Sequence, residues 1–224
     1  MTFFVSFLDD AKQKFQDQSS GVELEYEAMG GLVVPSDTLK PLENRLEFLC
    51  EEFPEGQTFK WSPKSKGHSS WFRENYEAEK RSLFFRNVLS IVKEEGACGC
   101  ISIVQVGERF AERNAKSHSD DAMRLVMERI HWILRNTNST GLVFVARPGG
   151  GAKDTANLSI ELADLRKLGT TFVGMARLAC NPALLPYEAS RTMQAADLVV
   201  SMTTAMAANH SHAIDFREDV GKAL

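Results

Sequence analysis

Strand and helix patterns alternate along the second half of the chain, and this alternation limits the fold more than any other feature of the sequence. The order is strand 98–106, helix 119–137, strand 141–146, helix 154–168, strand 170–176 and helix 190–208. Strands separated by helices in this way pair in parallel, and the helices cover the faces of the sheet. The sequence therefore predicts an α/β fold with a mainly parallel sheet.

Two further strands and two helices are predicted in the first half. The continuous apolar run Phe3–Leu8 has the pattern of a strand that is buried on both faces. After a polar turn over Lys12–Gly21, the segment 22–34 alternates and then runs apolar to a proline, which predicts a hairpin with the first strand. Helical spacing follows over 36–53 and 76–95. No shift in composition divides the chain, so we predict one domain.

Charge and composition limit the partners of the chain. The net charge of −4 provides no general attraction to phosphate. The sequence shows neither a secretory signal pattern nor an uncharged apolar stretch of about 20 residues. The four cysteines lack the spacing of a disulfide framework. We therefore expect a cytoplasmic protein without a membrane partner, in which any contact with nucleic acid depends on a local basic segment.

Residues 57–86 form such a segment. They contain seven basic and three acidic side chains, and seven minus three leaves a local balance of +4. Aromatic residues interleave with the basic ones, as in grooves that neutralise phosphates and stack bases. The predicted nucleic-acid contacts are Lys60, Trp61, Lys64, Lys66, Arg73 and, from the end of a later strand, Arg147. A charged surface loop whose aromatic side chains face the core is an equally open interpretation.

Acidic residues are the strongest candidates for chemistry. Asp9 and Asp10 follow the first strand, where open α/β sheets gather functional groups. Asp197 lies in an apolar helical segment, so we expect it to be buried. A buried carboxylate must be hydrogen-bonded, paired with a cation or bound to metal, so a structural role for Asp197 stays open. Together the three aspartates predict a site for Mg²⁺ or Mn²⁺.

A row of glutamates on the second strand is a weaker candidate. Glu23, Glu25 and Glu27 share one face of this strand, and Glu27 is nearest its apolar half. Such a row is more often the solvent face of a half-exposed strand, and that is our prediction here.

Three segments carry a resemblance to a known family. They are Leu8-Asp9-Asp10-Ala11, the run from Ala28 to Pro35 with its Gly30-Gly31 pair, and Met193-Gln194-Ala195-Ala196-Asp197-Leu198-Val199. Over residues 3–208 the chain resembles the domain-of-unknown-function 3800 family of the ribonuclease H-like superfamily. That family combines an acidic strand end, a Gly-Gly strand that runs to proline and a Gln-x-Ala-Asp helix.

The resemblance implies a fold and a site. The fold is a ribonuclease H-like mixed sheet with helices on both faces, over residues 1–209. Independently of the resemblance, we expect residues 210–224 to form a weakly ordered tail, as terminal segments often do. Asp9 and Asp197 match the positions that are expected to ligate metal, and Lys60-Trp61-Ser62 matches the basic segment in the middle of the chain.

One position departs from the family pattern. Related chains carry Asp-Arg-Pro before a glycine-rich loop, whereas this chain has Ala146-Arg147-Pro148. Ala146 thus takes the place of an expected catalytic aspartate. The resemblance therefore implies a metal cluster that lacks one ligand, and an activity that is weakened or lost.

The function predicted from these features is a metal-dependent nuclease, a phosphodiester hydrolase that acts on DNA or RNA with Mg²⁺ or Mn²⁺. One alternative is a non-catalytic module on the same fold that binds nucleic acid or protein, which Ala146 favours. The other is a structural or regulatory subunit whose segment from Trp61 to Tyr76 contacts another protein; a homo-oligomer also stays open.

Overall fold

A five-stranded mixed sheet forms the centre of the protein in a computed structural model that describes residues 2–16, 23–106, 115–149 and 151–223. Its strands are β1 (Phe3–Gln16), β2 (Glu23–Pro35), β3 (Cys98–Val106), β4 (Thr140–Ala146) and β5 (Ala183–Leu185). The order across the sheet is β3-β2-β1-β4-β5. Antiparallel pairing joins the first three, whereas β4 and β5 continue the sheet in parallel with β1. The α/β class is confirmed, but the sheet is mixed and not mainly parallel.

The hairpin of β1 and β2 is longer than the sequence predicts. Its register runs from Phe4 opposite Pro35 to Gln16 opposite Glu23. The predicted polar turn is therefore wrong over residues 12–16, which continue the strand. Their charges are paired across the hairpin: the Lys12 ammonium lies 2.6 Å from a Glu27 carboxylate oxygen. Opposite charges on facing strands stabilise the ladder, which explains why a polar segment forms a strand here.

Helices lie on both faces of this sheet. They are α1 (Leu39–Leu49), α2 (Ser70–Asn75), α3 (Ala78–Glu94), α4 (Ala115–Asn136), α5 (Ala152–Leu168), α6 (Arg191–Ala207), α7 (Ser211–Ile214) and α8 (Arg217–Ala223). One apolar core lies between the sheet and α6, with α1 and α3 packed around it. A second core lies on the opposite face, between the sheet and α4 and α5. Burial of apolar surface in these two layers is what holds the helices on the sheet.

The strand predicted over 170–176 is wrong. The Thr170 amide donates to the Val173 carbonyl at 2.8 Å, and the Thr170 hydroxyl donates to the Glu128 carboxylate on α4. These bonds close a tight turn in which Val173 and Met175 are buried without joining the sheet. The short strand β5, which the sequence analysis missed, takes the edge position beside β4.

The C-terminal segment belongs to the core. It was expected to be weakly ordered, but residues 211–223 contain α7 and α8. Phe216 and Val220 are buried in the core that α6 shares with the sheet. The guanidinium of Arg86 on α3 pairs with the carboxylate of Asp219 on α8.

Within the described residues, no helix combines the length and the apolar character that crossing a membrane requires.

Candidate carboxylate site

Asp9 lies in the middle of β1, at the point where the parallel neighbour of that strand ends. Parallel pairing with β4 runs from Phe3 to Leu8, and beyond Leu8 the strand continues beside β2. The sequence analysis placed Asp9 after the end of its strand, which is incorrect. The residue nevertheless lies beside the carboxyl end of β4. Its side chain is buried, with 8% exposure.

Asp197 is supplied by α6, which lies across β1 and β2. Ser190 caps the N-terminus of this helix, and its hydroxyl oxygen accepts a hydrogen bond from the Met193 amide. Asp197 has 6% exposure, so the prediction that it is buried is confirmed. The sheet face under α6 carries Phe7, and alternation along β1 puts Asp9 on that same face. The two aspartates therefore meet between the sheet and the helix.

The Gly30-Gly31 pair allows this close approach. A β-carbon at position 31 would lie 1.8 Å from the Phe7 carbonyl oxygen and 3.1 Å from the Ala196 β-carbon. Gly30 is the cross-strand partner of Asp9, and Ala196 immediately precedes Asp197. Larger residues in β2 would push the strands and the helix apart, so the glycines help to set the distance between the two carboxylates.

Hydrogen bonds orient both carboxylates. The Asp10 amide donates to Asp9 Oδ1 at 2.8 Å. The Ser201 hydroxyl donates to Asp197 Oδ1 at 3.2 Å. The Tyr187 hydroxyl lies 3.3 Å from Asp197 Oδ2 and also within bonding distance of the Phe59 carbonyl oxygen, so its single proton serves either acceptor. Each aspartate is thus held by at least one donor.

Sequence reasoning missed both Tyr187 and Ser201. The spacing of four residues between Asp197 and Ser201 on one helix was a usable signal. Tyr187 lies in a single 3₁₀ turn before α6, and its contact with Phe59 depends on the tertiary fold. No local pattern indicates such a contact.

The electrostatics of the pair favour protons or cations. Burial raises the pKa of Asp9 well above its ordinary value of 3.8, and the negative charges of Asp197 and Asp10 raise it further. Burial also raises the pKa of Asp197, against the opposing effects of Lys60, Ser201 and Tyr187. Buried carboxylates that repel each other resist carrying two negative charges without a cation beside them.

Lys60 supplies positive charge at this site. Its ammonium lies 4.4 Å from the centre of the Tyr187 ring, the geometry of a cation–π contact. The charge of Lys60 lowers the pKa of both Asp9 and Asp197. Lys60 is half-buried, in contrast to the exposed side chains of Lys64, Lys66 and Arg73. The predicted basic segment therefore brings one cation to the carboxylates and displays others to solvent.

The aromatic side chains of the basic segment face the core. Phe59, Phe72 and Tyr76 are buried in the core that α6 shares with the sheet. Trp61 is partly buried, and its ring stacks on that of His212 with 5.3 Å between centroids and 17° between planes. The rings of these residues pack within the protein. They therefore agree with the alternative interpretation of the segment, a charged surface loop whose aromatic side chains face the core.

Three other predicted site residues lie around the pair. Asp10 is exposed, and strand alternation directs it to the sheet face opposite Asp9, so it lies outside the buried pair. Ala146 is one position beyond the last β1–β4 partners, Leu8 and Val145, and packs against the same core as Phe7. It is therefore a neighbour of Asp9. Arg147, the next residue, is exposed.

The glutamate row on β2 is not uniformly exposed. Glu27 is buried, with 2% exposure, and pairs with Lys12, so the solvent-face prediction is wrong for this residue. Its charge is balanced inside the β1–β2 hairpin. Alternation along β2 places it on the face opposite Ala28, and Ala28 packs against α6. Glu27 is therefore separated from the carboxylate pair by the sheet.

Among the residues that the structure describes, no group of three or more His, Cys, Asp or Glu side chains is arranged to hold a metal ion. The site is thus a carboxylate pair with one neighbouring lysine. Comparison of the chain with protein-family models, curated proteins and solved structures produced no match.

Proposed function

We propose that the chain is a divalent-cation-dependent phosphodiester hydrolase of ribonuclease H-like type that acts on nucleic acid. The observation that carries the proposal is the meeting of two buried aspartates, from β1 and α6, at the carboxyl end of β4. Open α/β sheets bind their ligands at this edge. A hairpin of β1 and β2 extended by β3, with β4 and β5 added in parallel, supports the assignment to that superfamily and to the domain-of-unknown-function 3800 family.

The donor set fits Mg²⁺ or Mn²⁺ bound by a small number of protein ligands. Mg²⁺ is usually held by one or two carboxylates and completes its coordination with water and substrate phosphate oxygens. Asp9 and Asp197 would hold the ion, and a cation between them would relieve the repulsion of Asp9 by Asp197. Once bound, the ion would supply charge neutralisation at the phosphate and activation of water.

The protein's own groups position the carboxylates. The Asp10 amide fixes one oxygen of Asp9, Ser201 fixes one oxygen of Asp197, and the Tyr187 hydroxyl lies 3.3 Å from the other Asp197 oxygen. Because these partners are backbone or neutral donors, they orient the carboxylates without neutralising their charge. Packing of α6 on β1 and β2 keeps bulk water away from one side of the pair. Ligands held in this way need little reorganisation when an ion binds.

Contact with nucleic acid is assigned to exposed basic side chains of the segment 57–86 and to Arg147. Lys64, Lys66 and Arg73 are exposed in the segment that follows Lys60, and Arg147 is exposed directly after β4. Exposed lysine and arginine side chains bind phosphates and release counterions, so we expect affinity to fall as salt rises.

A non-catalytic binding module is the second candidate, and Ala146 favours it. This residue lies beside Asp9, where a further carboxylate would face the same core layer. Two-metal hydrolysis needs enough ligands to hold both ions about 4 Å apart. A chain with two carboxylates would retain the nucleic-acid surface and one cation, and lose the reaction.

Cleavage of labelled single-stranded and double-stranded DNA and RNA in Mg²⁺ or Mn²⁺ separates the two candidates. The chain is compared with Ala146→Asp and with a double variant that adds Asp9→Asn. We expect Ala146→Asp to raise cleavage at least about tenfold, since a further carboxylate completes the ligand set, and the double variant to abolish it. Binding without cleavage in every form would select the binding module, and absence of both would refute the proposal.

A further inference from the structure

We propose that Lys60 is the built-in counter-cation of the Asp9–Asp197 pair, held in place by Tyr187, and that a divalent cation must compete with it for the carboxylates. This role differs from that of an exposed phosphate contact. The competition rests on the proposed function, whereas the counter-cation role does not.

Geometry ties Lys60 to Asp197 through a single side chain. The Tyr187 hydroxyl lies within hydrogen-bonding distance of Asp197 and of the carbonyl of Phe59, the residue before Lys60. The face of the same ring carries the Lys60 ammonium at 4.4 Å. Tyr187 therefore fixes the lysine backbone and its charged end with respect to the carboxylate.

Burial makes a counter-cation necessary. Asp9 and Asp197 are 8% and 6% exposed, and Asp10 adds a third negative charge nearby. Asp197 receives hydrogen bonds only from neutral groups among the described residues. The charge of Lys60, held over the Tyr187 ring, lowers the pKa of both aspartates. A buried ionised carboxylate is costly without such a partner.

A stability cycle in chelator tests the counter-cation role without metal. It compares the melting temperatures of the wild type, Lys60→Gln, Asp9→Asn and the double variant at neutral pH. If Lys60 neutralises the pair, Lys60→Gln lowers the melting temperature. Asp9→Asn then raises the melting temperature by at least about 3 °C more in the Lys60→Gln background than in the wild type, because it removes a charge that Lys60 no longer neutralises. Additive effects would overturn the proposal, as would loss of stability in Lys60→Arg equal to that in Lys60→Gln.

Lys80→Gln is the matched control. The Lys80 ammonium also lies over a tyrosine ring, 4.1 Å from the centre of Tyr76, on the surface of α3. Removing it deletes a similar cation–π contact without touching the carboxylate pair. Asp9→Asn should raise the melting temperature equally in the Lys80→Gln and wild-type backgrounds, and a larger gain with Lys80→Gln would overturn the assignment to Lys60.

Calorimetric titration with Mn²⁺ tests the competition. Loss of the Lys60 charge should tighten Mn²⁺ binding about tenfold, since a positive neighbour is removed from a divalent ion, and Lys80→Gln should leave it unchanged. Unchanged or weaker binding by Lys60→Gln would overturn the competition. If no form binds Mn²⁺ but the stability cycle is non-additive, the proposed function fails and the counter-cation role stands. If Mn²⁺ binds but the stability cycle is additive, the counter-cation role fails and the proposed function stands.

Discussion

At the residue scale, the central feature is a pair of aspartates whose burial is electrostatically unfavourable. Asp9 and Asp197 lie between the sheet and α6, where desolvation and mutual repulsion raise the pKa of Asp9. Natural proteins keep such arrangements mainly where a ligand or a reaction uses them, although structural ion-pair networks also perturb pKa values. The pair is therefore the first place to look for function.

Asp9→Asn is expected to stabilise the metal-free protein at neutral pH. The folded state of the wild type binds the Asp9 proton more tightly than the unfolded chain, whose aspartates titrate near 3.8. The contribution of Asp9 to stability is therefore fully present below that pH and is lost as the pH rises through the raised folded-state pKa. Asparagine has no such loss, so urea unfolding should show a gain of about 1–2 kcal/mol at pH 7 that disappears near pH 4.

Asp10→Asn is the control for that measurement. Asp10 is adjacent to Asp9 but exposed. It should give a smaller gain at pH 7, because the exposed charge acts on the pair only through its Coulombic effect. An equal gain from both substitutions would contradict the burial argument.

The sequence was informative about which residues are buried and less so about their partners. The burial of Asp197 follows from its apolar neighbours along α6. Asp9 was identified from its position after an apolar run, although the strand continues past it. Tyr187 could not be found, because its role depends on the approach of the loop at Phe59. The solvent-face pattern failed at Glu27, since the cross-strand ion pair with Lys12 permits burial.

At the scale of elements, the two glycines of β2 control how α6 meets the sheet. Gly31→Ala should destabilise the protein by about 2–4 kcal/mol, because its methyl group would overlap the Phe7 carbonyl oxygen. The measurement is chemical unfolding. Gly174→Ala is the control, because a β-carbon there meets no atom within 4 Å. Equal small effects at both positions would show that the close packing of β2 is not required.

Helices and strands were predicted correctly where the sequence pattern and the tertiary environment favour the same structure. The bounds of β3 match the sequence prediction, and α3, α4, α5, α6 and β4 match to within a few residues. The segment 170–176 failed because two buried apolar side chains in a turn imitate a strand. The strand β5 has three residues, too few for a periodic signal, and is defined by its hydrogen bonds to β4.

At the scale of the whole molecule, the carboxylates lie where the antiparallel and parallel halves of the mixed sheet meet, at β1. The alternation of strands with helices along the sequence predicted parallel pairing. The antiparallel pairing of β1, β2 and β3 instead makes half of the sheet antiparallel. Which strands pair is decided by contacts between distant segments, so the sequence pattern constrains the class of fold more strongly than the topology. The consequence for function is that β1, at the centre, carries Asp9 between β2 and β4.

The proposal for the whole molecule depends on one capability, the binding of a divalent cation by Asp9 and Asp197. The most direct test is calorimetric titration of the full chain with Mn²⁺ at neutral pH, in parallel with Asp9→Asn and Asp197→Asn. We predict that the wild type binds Mn²⁺ and that either substitution weakens binding at least about tenfold, since each removes a ligand. Binding of equal strength in all three proteins, or none in the wild type, would contradict the assignment of this pair as a cation site.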